Sequence, residues 1–116
     1  MKRPLAYITA AWSGNEDKDA DTAAKYSREV YDAGFSPICP QMFMPLYLDC
    51  AVPEEHKSRA DMSRDLLRRS HVLVFCGAQT DEQVKTDIAT AARLGITATT
   101  LDGILTVKAQ GRLKKR

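Results

Sequence analysis

Long apolar runs and paired cysteine motifs are both missing from this sequence of 116 residues. No stretch approaches the roughly 18 consecutive apolar residues that a membrane-spanning helix needs. The basic start turns polar within a few residues, which makes a poor signal peptide. The three cysteines form no CxxC motif, and an odd count argues against a disulfide framework. We therefore expect a single domain located in the cytoplasm, with no membrane partner.

Motifs for cofactors and metals are also missing. There is no GxGxxG or Walker motif, and Ser13-Gly14 is too short to count as a phosphate loop. His56 and His71 lack a zinc-ligand spacing with each other or with any cysteine. We therefore expect neither a metal nor an organic cofactor.

Positive charge is concentrated at the C-terminal end, although the formal net charge is only +2. Five basic residues and no acidic residue follow Val107, and removing these five from the 17 basic residues leaves 12 against 15 acidic ones. We predict one domain over residues 1–107 and a basic tail over 108–116. Because the domain shows no basic stripe with interleaved aromatic residues, we do not expect it to bind nucleic acid.

Strand and helix patterns alternate along the chain. Predicted strands cover residues 4–11, 35–39, 71–76 and 96–101, and predicted helices cover 19–33, 53–69 and 80–94. This order implies a parallel sheet with helices on both faces, and Pro37 favours an edge position for the second strand. Thr80 is the expected N-cap and Gly95 the expected end of the third helix. Beyond Asp102 the pattern is weak, with a short element at most over 104–107.

An apolar segment over residues 40–52 (PQMFMPLYLDCAV) interrupts the alternation. Its prolines make it too irregular for a strand or a long helix. Such a segment either caps the core or lines a pocket or a subunit contact.

Asp87 lies on the apolar face of the helix predicted over 80–94, three residues after Val84 and four before Ala91. A carboxylate at such a position must be paired, hydrogen-bonded or facing a cavity, because burying a lone charge is costly. Two interpretations are open: a polar residue at the margin that reaches solvent, or a functional carboxylate facing a pocket above the sheet. In parallel α/β sheets ligands bind outside the carboxyl ends of the strands, so we expect the turns at 12–15 and 77–82 and the segment from residue 40 to converge there.

Four stretches of the chain resemble the nucleoside 2-deoxyribosyltransferase-like superfamily, and are most similar to its small DUF4406/DUF7768-type domains. They are YITAAWSGN, GFSPICPQMFMPLYLD, ADMSRDLLRRSHVLVFCG and TDEQVKTDIATAARLGI, which together span about residues 6–101. The resemblance implies a flavodoxin-like, Rossmann-like three-layer α/β domain with a four- to five-stranded, mainly parallel sheet. It also implies a homo-oligomer whose neighbouring subunits complete the active site.

The resemblance further implies residue roles. In the family's enzymes a glutamate on the last conserved helix attacks the anomeric carbon of a (deoxy)ribosyl group, and the motif places Asp87 at this position. Tyr7 matches the tyrosine that helps to hold the nucleophile, and Asp61 or Asp65 would assist leaving-group protonation or sugar binding. The alternative for the last two is pairing with nearby arginines on the same helix.

The expected substrate-binding residues lie in the two turns at the strand ends: Trp12, Ser13, Gly14, Gly77, Asp81 and Glu82. The first turn meets sugar or phosphate in the family's nucleotide-cleaving branch, and Asp81 matches a position that contacts the base in some members. For Trp12 an exposed indole that stacks on a base and a surface or oligomer contact are both open. Tyr7 could equally be a core aromatic residue.

Two departures from the family pattern concern the nucleophile. Asp87 is one methylene shorter than glutamate, which sets its oxygen back by about 1.5 Å, and a misplacement near 1 Å can cost on the order of 100-fold in rate. Gln83 stands where relatives have a small residue. With these departures, the resemblance implies an N-glycosidic bond hydrolase or deoxyribosyltransferase that acts on a nucleoside or nucleotide through a carboxylate nucleophile. The alternatives are a non-catalytic nucleotide-binding module of the same fold and an oligomeric interaction protein that uses the segment 42–48.

Overall fold

A four-stranded parallel sheet forms the centre of the part of the chain that the structure describes, which is the backbone of residues 3–114 and the side chains of residues 3–107. In this computed structural model the strands are β1 (Leu5–Thr9), β2 (Ser36–Ile38), β3 (Val72–Phe75) and β4 (Thr97–Thr100), in the order β2-β1-β3-β4. All three neighbouring pairs are parallel. The predicted flavodoxin-like α/β fold is confirmed.

The sheet has its expected edge at β2. Ala6 of β1 lies between Pro37 of β2 and Val72 of β3, and β2 pairs with β1 alone. Proline has no amide N–H to donate to a second neighbour, which confines a strand containing it to an edge.

Five helices cover the sheet within the described residues. They are α1 (Glu16–Asp32), α2 (Pro40–Phe43), α3 (Pro53–Arg69), α4 (Glu82–Leu94) and α5 (Leu101–Lys114), with a 3-10 turn at Met44–Leu46. None of the described helices has the length and apolar character that crossing a membrane requires.

The two faces of the sheet carry separate cores, because side chains alternate along each strand. Ala6, Ile8 and Ala10 pack with residues of α1 and α5 on one face. Tyr7 and Leu73 point to the other face, where they meet α3 and α4. The surroundings of any catalytic group therefore depend on which of the two faces it lies on.

Two predicted helix starts were wrong because other residues cap these helices. α1 begins at Glu16 rather than at residue 19, since the Asn15 side chain accepts a hydrogen bond from the Lys18 N–H at 3.0 Å. α4 is capped by Asp81 and not by Thr80, with Asp81 Oδ1 accepting from the Val84 N–H at 2.9 Å. Its end at Gly95, in the left-handed conformation with φ 73°, is as predicted.

The last helix is longer than the sequence pattern indicated. α5 runs from Leu101, which was expected to end a strand, through Lys114, in place of a short element over 104–107. It crosses the predicted boundary between residues 107 and 108, and the side chains from 108 onward lie outside the described residues. The division into a domain and a basic tail therefore stays a prediction.

The apolar segment after β2 forms α2 and the 3-10 turn rather than an irregular loop. Pro40 and Met44 are buried, so part of the segment does cap the core. Leu46 is 83% exposed and Tyr47 57% exposed. The segment therefore also presents an apolar surface to the outside.

Candidate active site

Asp87 is a buried carboxylate held by neutral hydrogen-bond donors. It is 5% exposed, its Oδ2 accepts from Thr9 Oγ1 at 2.8 Å, and its Oδ1 accepts from Gln83 Nε2 at 2.9 Å. No lysine, arginine or histidine side chain of residues 3–107 forms an ion pair with it. Of the two interpretations of Asp87, the structure excludes a marginal residue that reaches solvent freely.

The fold brings these three residues together in a simple way. Thr9 ends β1 and lies two residues after Tyr7, so both side chains point to the α3/α4 face. Asp87 lies in the second turn of α4, and Gln83 precedes it by four residues on the same helical face. The start of α4 follows the carboxyl end of β3, next to the carboxyl end of β1.

Burial controls the acidity of Asp87. Loss of solvation raises the pKa of its carboxyl, and the nearby charge of Asp81 adds to this effect. The hydrogen bonds from Thr9 and Gln83 stabilise the ionised form and partly offset the rise in pKa. The carboxyl is thus more basic than an exposed aspartate.

Tyr7 is a fully buried core residue next to Asp87. Burial raises the pKa of its phenol far above the ordinary value, and the negative charge of Asp87 raises it further. The Ser63 hydroxyl lies near enough to lower that pKa slightly, but it donates to Met44 Sδ at 3.7 Å. The Tyr7 hydroxyl has no hydrogen-bond partner among the described residues. Because its pKa is raised, Tyr7 remains a neutral phenol beside the carboxylate.

A cleft of about 320 Å³ lies between α3 and α4 and includes Asp87 in its wall. α4 contributes Gln83, Thr86, Asp87 and Thr90. α3 contributes His56, Arg59, Ala60, Ser63, Arg64 and Leu67. This volume is within the range of small-molecule sites.

Residues outside these two helices also line the cleft. Arg59 Nη1 donates to Cys50 Sγ at 2.7 Å, and Arg59 Nη2 donates to Gln41 Oε1 at 3.3 Å. Both partners of the guanidinium also line the cleft. The apolar segment after β2 is thus tied to α3 by this arginine.

The structure does not bring Asp61 or Asp65 to Asp87 within one subunit. Asp61 is exposed, and Asp65 pairs with Arg68 and, through Oδ2, with Arg69 Nη2 at 2.9 Å. Neither lines the cleft. Two residues correspond to about 200° around a helix, so Asp61 and Asp65 lie on the opposite side from Arg59 and Ser63. The alternative of pairing with neighbouring arginines is what the structure shows for Asp65.

The turn after β1 is organised by Asp19. Its carboxylate accepts from the Ser13 N–H at 2.9 Å, the Ser13 hydroxyl at 2.7 Å and the Gly14 N–H at 3.0 Å. The backbone hydrogen bond from Ser13 is the main reason why the pKa of Asp19 is lowered. The amides that were expected to meet a sugar or phosphate are therefore already occupied by a carboxylate of the same chain.

Trp12 does not offer an exposed indole. Its ring packs on Tyr26, with the centroids 6.4 Å apart, and contacts the core on the α1/α5 face. The indole N–H is buried and has no hydrogen-bond partner in the described part of the chain. Base stacking was one of two open possibilities for Trp12, and the ring packed on Tyr26 is not exposed for it.

The other expected binding residues are also separate from the cleft. Gly77, with φ 88°, lines a second cavity of about 340 Å³ on the α1/α5 face. Asp81 caps α4, and the exposed Glu82 lies 3.7 Å from Lys85 Nζ. The turns at 12–15 and 77–82 thus do not meet Asp87 in one pocket.

Sequence reasoning singled out Tyr7 and Gln83 near Asp87 but missed Thr9 and the residues of α3 that line the cleft. Thr9 could have been found from its position two residues after Tyr7 on a predicted strand. The α3 residues that line the cleft recur at helical spacing, which the sequence also shows: His56, Arg59, Ala60, Ser63, Arg64 and Leu67. Among the described residues no group of three or more histidine, cysteine, aspartate or glutamate side chains could hold a metal ion.

The sheet order, with helices on both faces, defines a flavodoxin-like α/β domain, and one of its faces holds a cleft with a carboxylate in the wall. The chain is similar to a solved 2-deoxyribosyltransferase from the psychrotolerant bacterium Bacillus psychrosaccharolyticus, with a TM-score of 0.69 over 83% of this chain and 70% of that one. The two are 9% identical, so the similarity concerns the fold. Residues 4–101 match the family model of a domain of unknown function, DUF7768, and the chain belongs to this family. No curated protein matches it by sequence.

Proposed function

We propose that this protein breaks the N-glycosidic bond of a nucleoside or nucleotide, as a hydrolase or a deoxyribosyltransferase, with Asp87 as the nucleophile. The observation that carries the proposal is the position of Asp87. It is a buried carboxylate in the wall of a cleft, oriented by Thr9 and Gln83 and neutralised by no cation among the described side chains. Similarity of fold to a 2-deoxyribosyltransferase supports the same chemistry.

The reaction proceeds in two displacements. An oxygen of Asp87 forms a bond to the anomeric carbon, the bond from that carbon to the base nitrogen breaks, and the base leaves with the electron pair and takes up a proton. Water or a second base then attacks the anomeric carbon and releases the Asp87 carboxylate, so the configuration is retained. Thr9 keeps one carboxylate oxygen in place, and Gln83 must leave the other if that oxygen attacks.

The source of the leaving-group proton is a separate part of the proposal. Asp61 and Asp65 lie outside the cleft of their own subunit, and Asp65 is ion-paired. A role for the exposed Asp61 therefore requires a contact between subunits. We propose such a homo-oligomer, because Phe43, Leu46 and Tyr47 form an exposed apolar surface beside the cleft residue Gln41.

A non-catalytic nucleotide-binding module is the second candidate. Both oxygens of Asp87 already accept hydrogen bonds, one of them from Gln83. Gln83 lines the cleft, and its hydrogen bond holds the oxygen of Asp87 that would attack a substrate. This arrangement favours binding of a nucleotide without its cleavage.

Base release separates these candidates. Purified protein is incubated with ribo- and deoxyribonucleosides, their 5′-monophosphates and NAD, and free base is followed by chromatography. Wild-type protein should release base, Asp87→Ala should reduce the rate by at least ~100-fold, and Asp21→Ala, an exposed carboxylate on α1, should match the wild type. Release that persists in Asp87→Ala contradicts the proposed nucleophile. No release, together with a rise in melting temperature from the same compounds, supports the binding module.

A further inference from the structure

The α3 wall of the cleft is basic. His56, Arg59 and Arg64 follow one another along the helix at intervals of three and five residues, and all three line the cleft. Asp87, on the opposite wall, is the only carboxylate among the described lining residues. Two permanent positive charges thus face one negative charge.

The arginines of α3 fall into two groups with different partners. Arg68 and Arg69 both form ion pairs with Asp65, outside the cleft. Among the described residues no carboxylate pairs with Arg59 or Arg64, and the partners of Arg59 are the neutral Cys50 and Gln41. The positive charge inside the cleft is therefore not compensated by the described side chains.

The rest of the lining is mixed. Ser63, Gln83, Thr86 and Thr90 present hydroxyl and amide groups, Ala60 and Leu67 are apolar, and the described lining holds no Phe, Tyr or Trp ring. Base-binding sites commonly stack the base on an aromatic ring. With the His56 imidazole as the single aromatic ring of the described lining, these walls offer more hydrogen-bond donors to a hydroxylated, negatively charged group than stacking surface to a base.

We infer that Arg59 and Arg64 form a phosphate subsite, so that the cleft holds the sugar phosphate of a nucleoside monophosphate. This inference rests on the proposed function and names the substrate class for it. A guanidinium binds phosphate oxygens through two parallel N–H donors, which gives both charge pairing and orientation. With the phosphate against α3, the sugar lies between the helices and its anomeric carbon faces Asp87 on α4. The base then lies towards the cleft mouth.

Arg59 has to exchange its neutral partners for the phosphate. Its bond to Gln41 is long, at 3.3 Å, and both present acceptors are uncharged. A phosphate monoester carries a charge of about −1.5 to −2 at neutral pH, which makes it a stronger acceptor than either a thiol or an amide. Binding would therefore release Cys50 and Gln41 from Arg59.

Calorimetric titration with 2-deoxyribose 5-phosphate tests the subsite without requiring turnover. We expect the wild type to bind this compound at least ~10-fold more tightly than 2-deoxyribose, since hydrogen bonds to charged groups have effects of this size. Arg59→Gln and Arg64→Gln should each weaken binding of the sugar phosphate by ~10-fold or more. Arg68→Gln removes an arginine of the same helix outside the cleft and should leave the affinity unchanged.

Several results would overturn the subsite. They are equal affinity for the two sugars, an unchanged affinity in Arg64→Gln and an equal loss in Arg68→Gln. Binding of inorganic phosphate as tight as that of the sugar phosphate would overturn the sugar phosphate as the ligand. Base release from nucleosides as efficient as from their 5′-monophosphates would overturn the subsite while leaving the proposed function intact. If the sugar phosphate binds in a way that depends on Arg64 but no nucleotide releases its base, the proposed function is contradicted and the phosphate subsite is supported.

Discussion

Asp87 has no cationic partner among the described side chains, and two neutral donors, Thr9 and Gln83, hold its carboxylate. Burial raises the pKa of its carboxyl above the value of about 4 that holds in an unfolded chain. The folded protein therefore binds this proton more tightly than the unfolded chain does. The resulting stabilisation is complete below the unfolded pKa and is lost as the pH rises through the folded pKa.

Replacing Asp87 by asparagine should stabilise the protein at neutral pH. The new amide would carry no charge to desolvate, and Thr9 and Gln83 can each reorient to form a hydrogen bond with it. We expect a higher melting temperature than the wild type at about pH 7, with the difference shrinking towards about pH 3, where the wild-type carboxyl is protonated in both states. Calorimetry across this range, with Asp61→Asn as the exposed control, measures the effect. A difference that grows on acidification would contradict a raised pKa.

We expect the hydroxyl of Thr9, and not its methyl group, to stabilise the Asp87 carboxylate. Thr9→Val keeps the shape of the side chain but removes the 2.8 Å hydrogen bond to Oδ2. Because a hydrogen bond to a charged group contributes about 1.5–3 kcal/mol, we expect a loss of that size in the free energy of unfolding by urea near neutral pH. The loss should be smaller in Asp87→Asn. A change below about 0.5 kcal/mol, typical of neutral surface substitutions, would show that Thr9 does not hold the carboxylate.

In each of the two helices that form the cleft, some side chains line the cleft while others stabilise the helix outside it. The side of α3 that meets the cleft carries Arg59 and Arg64, whereas Asp65 is tied to Arg68 and Arg69 away from it. In α4 the first turn is fixed by the Asp81 cap, and the next turn presents Asp87. The position of Asp87 relative to Thr9 therefore depends on where α4 begins.

The N-cap of α4 can be tested by comparing two neighbouring residues. Asp81→Ala removes the acceptor of the Val84 N–H and should lower the free energy of unfolding by about 1 kcal/mol. Thr80→Ala, one residue earlier and exposed, should have almost no effect. Urea unfolding monitored by circular dichroism distinguishes the two variants. The reverse order of effects would restore Thr80 as the cap.

At the scale of the whole molecule, the sheet separates two cavities. The cleft with Asp87 lies on the α3/α4 face, while Gly77 and Tyr26 line the second cavity on the α1/α5 face. The apolar surface of Phe43, Leu46 and Tyr47 adjoins the cleft side through Gln41. A subunit contact at this surface would place a second copy of the chain near the candidate active site.

The proposed homo-oligomer predicts a clear effect of charge at Leu46. The wild type should sediment as a dimer or larger species, and Leu46→Glu should shift it towards the monomer, because a buried unpaired charge is costly. Val107→Glu is the matched control, since Val107 on α5 is also exposed, at 67%. A monomeric wild type, or dissociation by both variants alike, would contradict a contact at this segment. Analytical ultracentrifugation provides the measurement.

The sequence by itself determined the fold class and singled out Asp87. Strand and helix periods, Pro37 at an edge and Gly95 at a helix end are local signals, and each corresponds to a local physical cause. A carboxylate on an apolar helical face likewise needs an unusual environment whatever the neighbours are.

Only the tertiary structure decided what lies around Asp87. Thr9 is 78 residues away along the chain, and no periodicity links the two residues. The orientation of α3 about its axis places Arg59 and Arg64 in the wall of the cleft and leaves Asp61 and Asp65 outside it. In the first turn, the amides of Ser13 and Gly14 donate to Asp19. Such contacts depend on how helices pack across a sheet, and a local pattern fixes which face of a helix is apolar but not which neighbours that face meets.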